Sequence, residues 1–162
     1  MLQFGIKTLR SINLKQPVQV SIDSYKPAVI ERCLQSFDFN FINDVSGLTN
    51  KKMIDLAKQS QKKVFIMHSL SVPAKSDESI SEQINPIAYL RAWWAEKRLS
   101  CLSAGLTDEN IIFDPGIGFG KTKFQNLFIL NHLSQLGQDD LITNDILIGH
   151  SRKSYQTLFS DR

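Results

Sequence analysis

Each apolar run along this chain ends on a side chain capable of polar chemistry: Asp23, the pair Asn43-Asp44, His68, Asp114 and Ser151. Taken singly, an Asp or Asn in such a place is an ordinary turn former or helix cap. Recurring after every run, these residues point instead to one shared edge. Asp114 is the most informative of them. Ile111-Ile112-Phe113 precedes it, and Pro115-Gly116-Ile117-Gly118-Phe119-Gly120-Lys121-Thr122 follows. That order reads as a buried strand carrying a carboxylate at its tip, then a turn whose backbone can approach a ligand closely. Ser151-Arg152-Lys153-Ser154 sets two cations where a helix begins, which suits an anion or an electronegative heterocycle. His68 reads equally as a functional group or as a locally hydrogen-bonded one. His132 falls on a polar helix face, His150 is ambiguous, and Trp93-Trp94 read as packing residues of a long helix.

The glycine turn has two lookalikes. A Walker A loop ends in Gly-Lys-Thr, as here, but its first glycine would stand where Pro115 is. A dinucleotide fingerprint takes Gly116 and Gly118 but needs a third glycine at Lys121. Both fail by one residue. The net charge of +3 comes from scattered Lys and Arg, so nucleic acid is not the expected partner. Cys33 and Cys101 lie in helical stretches outside any CxxC or metal-spaced pattern and read as buried thiols. No apolar run reaches the ~20 residues of a membrane span, and the first ten residues alternate apolar and charged, unlike a secretory leader. The expectation is a cytoplasmic protein with no membrane partner and no protein-ligated metal.

The elements that must position these side chains alternate in type. Leu2, Ile6 and Leu9 mark an opening helix. After Pro17, strands are predicted over 18–23, 39–44, 63–68, 110–114 and 145–149. Helices are predicted over 27–37 (Val29, Ile30, Cys33 and Leu34 inward), 51–59, 86–102 with Gly105 just past its end, 124–136 and 155–159. Serine-rich 69–85 reads as a surface loop of the length often used for lids. Near-continuous apolar strands alternating with helices argue a parallel sheet covered on both faces. Polar groups then gather at the carboxyl ends of the strands, the ligand-binding edge of such folds.

These residues resemble a known family. Asp114-Pro115-Gly116-Ile117-Gly118-Phe119-Gly120-Lys121, Gly149-His150-Ser151-Arg152-Lys153-Ser154, Ser21-Ile22-Asp23-Ser24, Ile42-Asn43-Asp44-Val45-Ser46-Gly47 and Met67-His68 together are similar to the dihydropteroate synthases, in that family's order. The resemblance implies an α/β fold: an incomplete TIM (β/α)8 barrel of about five parallel βα units. Residues 1–162 would form a partial pterin-binding domain without the first two strands and the last. It implies condensation of 6-hydroxymethyl-7,8-dihydropterin pyrophosphate with p-aminobenzoate, giving 7,8-dihydropteroate and pyrophosphate with magnesium. Asp114 and Lys153 would be the catalytic pair. Asp23, Asn43, Val45, Met67, Asp114 and Lys153 would bind pterin, and Gly118, Phe119 and Ser151 would border p-aminobenzoate.

Departures from the pattern accompany the matches. The family's magnesium-site asparagine, its Thr-Arg pair and its Arg-x-His strand have no counterpart here, and Ser69-Leu70-Ser71-Val72-Pro73 replaces the usual sequence after Met67-His68. Family members dimerise through late barrel helices that this chain mostly lacks, which weakens the case for a homodimer. Two alternatives stay open: a non-catalytic remnant that at most binds pterin, and the pterin-binding domain of a corrinoid-linked methyltransferase.

Overall fold

The structure is a computed structural model that describes residues 18–137, 146–151 and 153. Four strands, β1 (Ser21–Asp23), β2 (Phe41–Asp44), β3 (Lys63–Met67) and β4 (Ile111–Asp114), form one sheet in the order β1-β2-β3-β4. Every pairing is parallel. The helices are α1 (Pro27–Ser36), α2 (Lys51–Ser60), α3 (Pro86–Ser103), α4 (Lys123–Asn131) and α5 (Leu133–Leu136). Strands added one after another in a single direction, with no reversal of order, form an arc of a (β/α)8 barrel; an open doubly wound sheet would show a switch point.

The register sorts the side chains into two faces, because paired residues of parallel strands share a face and successive residues alternate. Ile22, Ile42, Val64 and Ile111 align across the sheet, and Asp44, Ile66 and Phe113 continue their face. This is the helix side, where Ile30, Cys33, Met53, Leu56, Leu90 and Trp94 complete the buried core. Asp23, Asn43, Phe65 and Ile112 align on the inner face, with Met67 and Asp114 forming the next row. Phe41 and Phe65 stack there with centroids 4.8 Å apart.

Helix ends follow local chemistry. Pro27 and Pro86 sit in first turns, and Asn85 caps α3 by accepting from the N–H groups of Ile87 and Ala88. At the far end of α3, Gly105 donates to Leu102 and Leu106 to Cys101, a Schellman motif closed by the glycine at φ +90°. Thr122 and Gln125 form a reciprocal capping box that starts α4.

Three predicted elements differ. Val29 is 42% exposed, on the flank of α1 rather than its buried face. The predicted helix 124–136 divides at His132, whose Nδ1 lies 2.7 Å from the Phe128 carbonyl and competes for an acceptor of the helix ladder. The strand predicted over 145–149 is, among the described residues, a single parallel bridge of Ile146 to Phe113, with the Leu147 N–H on the Phe113 carbonyl at 2.9 Å. The next ladder bond would have to come from Pro115, which has no N–H. The predicted helices at 1–10 and 155–159 lie outside the described residues, as do Pro17, Asp145, Arg152 and Ser154.

Candidate functional site

Alternation along the strands decides which polar groups meet. Asp23, Asn43 and Asp114 share the inner face with Met67, and together with Val45, Gly116, Ile117, Phe119, Leu147, Gly149, Ser151 and Lys153 they line a cavity of about 260 Å³ at the carboxyl ends of the strands. Gly118 stands beside it: a side chain there would run into the Lys153 stem. Asp44 and His68 fall on the other parity. Asp44 is fully buried on the helix side, where one oxygen accepts from the Ser46 N–H at 2.8 Å and hydroxyl at 2.6 Å. His68 is 1% exposed, edge-on to Tyr89 and Trp93 of α3. Both strand ends therefore serve the scaffold beneath the cavity.

Asp114 is held by its own turn. Its Oδ1 accepts from the Gly116 N–H at 2.7 Å. That turn needs Gly116, because its φ is +66° and a Cβ would overlap the His68 carbonyl oxygen. Burial pushes the Asp114 carboxyl above the ordinary carboxylate range, while the Gly116 N–H and the charges of Lys121 and Lys153 draw it back. Across the cavity, the Lys153 ammonium lies 4.1 Å from the centre of the Phe119 ring. Burial lowers its pKa, opposed by Asp114. Asn43 lines the cavity, and its Oδ1 is buried with no hydrogen-bond partner among the described residues. The arrangement thus offers a carboxylate, an amide and an ammonium around one apolar-walled space, with an aromatic ring at one end. It suits a flat, nitrogen-rich ring.

Beneath the turn lies Lys121, a residue quoted in the motif but assigned no role from sequence. It is 8% exposed, and its Nζ lies 2.8 Å from His68 Nδ1, 3.0 Å from the Gly116 carbonyl and 2.8 Å from the Phe119 carbonyl. Burial lowers its pKa to about 7, and burial with the Lys121 charge lowers that of His68 to about 3, so His68 is neutral. A buried lysine next to a glycine turn was visible only as a failed phosphate motif. The loop 69–85 is fastened to the same turn. The Ile80 N–H donates to the Gly120 carbonyl at 3.1 Å, and the buried Gln125 amide donates to the Ile80 carbonyl at 2.7 Å. A second, larger groove of about 570 Å³ between the starts of α3 and α4 is lined by residues such as Glu82, Asn85, Phe124 and Phe128 and shares no lining residue with the strand-end cavity.

Among the described residues no group of three His, Cys, Asp or Glu could hold a metal. The cavity offers two carboxylates, Asp23 and Asp114, and Asp114 has one oxygen on the Gly116 N–H. No helix among the described residues is long and apolar enough to cross a membrane.

A family model described as pterin binding enzyme matches residues 5–161. A folate synthesis bifunctional protein of Chlamydia muridarum is 37% identical over 89% of this chain and 32% of its own length. A crystal structure of dihydropteroate synthase from Anaplasma phagocytophilum with bound 6-hydroxymethylpterin-monophosphate superposes with a TM-score of 0.78 at 29% identity, over 88% of this chain and 55% of that one. The Thermus thermophilus dihydropteroate synthase in complex with 4-aminobenzoate gives a TM-score of 0.74 at 29% identity, over 90% and 55%. The chain thus spans about a third of the Chlamydia protein and about half of the two crystallised enzymes.

Proposed function

Because this chain belongs to the pterin binding enzyme family and resembles dihydropteroate synthases over part of their length, we propose that its cavity serves the dihydropteroate synthase reaction. The substrates in this reading are 6-hydroxymethyl-7,8-dihydropterin pyrophosphate and p-aminobenzoate. The observation that carries it is the strand-end cavity joining Asp114, Asn43 and Lys153, with Phe119 at its side. The pterin bound to the Anaplasma enzyme and the 4-aminobenzoate bound to the Thermus enzyme support the ligand classes.

The chemistry follows from the side chains. A carboxylate accepts two parallel N–H bonds, so Asp114 takes the amino group and ring N–H of the pterin. Asn43 reads the same edge, and Lys153 donates to the ring carbonyl and nitrogen. Asp23 completes the polar rim, and Val45 and Met67 wall the ring. The bond from the pterin methylene carbon to pyrophosphate oxygen breaks, its electron pair leaving with pyrophosphate. Positive charge then spreads into the ring, where Asp114 stabilises it in a site built before the reaction. The p-aminobenzoate nitrogen, lying between Phe119, Gly118 and Ser151, forms the new C–N bond and releases a proton to water. No step here is routed through magnesium.

Calorimetry of the purified chain with the pterin pyrophosphate, followed by a pyrophosphate-release assay with p-aminobenzoate, tests the proposal. Micromolar pterin binding with p-aminobenzoate-dependent release is the expected result. Binding without release would favour the pterin-binding remnant, and preference for methyltetrahydrofolate would favour the methyltransferase alternative.

A further inference from the structure

Lys121 has no part in the roles above, yet it is the only buried lysine among the described residues. An ammonium has three N–H bonds to give, and Lys121 meets three acceptors: the carbonyls of Gly116 and Phe119 and the Nδ1 of His68. The two carbonyls bracket the glycine turn, which the Phe119 N–H already closes onto Gly116 at 3.0 Å. The third acceptor belongs to the residue following β3. We propose that Lys121 is a positioning residue whose ammonium ties the Gly116–Phe119 turn to His68 and thereby sets where Phe119 and Gly118 stand at the edge of the cavity. The hold on the turn stands on geometry alone; its consequence for p-aminobenzoate rests on the proposed function.

The surroundings make this hold sensitive to pH. Asp114 of β4 favours the charged lysine, while burial and Lys153 oppose it, leaving its pKa at about 7. His68, edge-on to Tyr89 of α3, stays neutral, and its Nδ1 faces the Lys121 ammonium, which can only donate. Raising the pH through 7 therefore removes one of the donors that fasten the turn.

Amide hydrogen exchange followed by NMR, with wild type and Lys121→Met, tests the proposal. Protection of the Phe119 and Gly118 amides should fall about tenfold or more in Lys121→Met while β3 and β4 amides keep theirs. In wild type, after correction for base catalysis, protection of the turn should decline between pH 6 and 8.5. Unchanged protection in the variant overturns the proposal. Should Lys121→Met fail to fold, the wild-type profile decides alone, and flat protection across that range overturns it. In a parallel pyrophosphate-release assay, the KM for p-aminobenzoate should rise about tenfold in the variant, with the KM for the pterin pyrophosphate changed less than about threefold. Equal rises for both substrates would mark general loosening and count against positioning. A wild-type chain that binds neither ligand refutes the proposed function, while the exchange result still judges the lysine.

Discussion

His68 gives the structure an acid sensitivity that can be worked out in advance. Burial, helped by the Lys121 charge, takes its pKa from the ordinary 6.5 to about 3. Below pH 6.5 the unfolded chain protonates this histidine and the folded chain does not, so stability falls as the pH falls. The slope is about 1.4 kcal/mol per pH unit until the folded-state pKa is reached. Between pH 6.5 and 5 the loss is therefore about 2 kcal/mol, a substantial part of the 5–15 kcal/mol typical of a domain. Asp44 and Asp114, whose pKa values are raised chiefly by burial, act in the opposite direction, favouring the folded state as the pH falls through their raised values. Comparison with His68→Asn cancels them, since both carboxylates remain. The Asn Oδ1 also replaces Nδ1 as an acceptor for Lys121, and loss of the ring against Tyr89 and Trp93 adds an offset independent of pH. Urea unfolding read by tryptophan fluorescence at half-unit steps from pH 7.5 to 5 measures the difference. Wild type should lose about 2 kcal/mol more than the variant over the lower part of that range. Parallel curves would refute a buried neutral histidine at position 68.

Other perturbations reach the turn, the core and the cavity. Gly116→Ala should cost roughly 2–4 kcal/mol in urea unfolding, because a left-handed φ and overlap with the His68 backbone combine there. Phe113→Ala should cost about 3–5 kcal/mol, since this fully buried ring packs on Trp94 at 4.8 Å. Thr122→Ala should cost about 1 kcal/mol by removing one side of the α4 capping box, visible as a lowered midpoint with unchanged denaturant slope. Asp114→Asn should weaken pterin pyrophosphate binding about 10- to 100-fold in calorimetry, the effect of losing a charged hydrogen-bond acceptor, with little change in fold.

Much of this protein is written locally. Apolar runs, first-turn prolines and the glycine after α3 mark the strands and helix ends, because capping and periodicity depend on residues a few positions apart. The same local order sets Asp23, Asn43 and Asp114 at strand ends, and a resemblance read from those segments already pointed to the family. What the chain in one dimension could not decide is parity and partnership. Asn43 and Asp44 are neighbours, but one faces the cavity and the other the helices, and only the register with β3 shows which. His68 could equally have joined Asp114; its place on the opposite face buries it with Lys121 instead. Pro115 ends the pairing with the segment at Ile146, an effect that exists only once the two strands lie side by side. Lys121 meets a histidine 53 positions away. Its burial, its three acceptors and its lowered pKa arise from tertiary packing, because desolvation and long-range hydrogen bonds have no signature in sequence spacing.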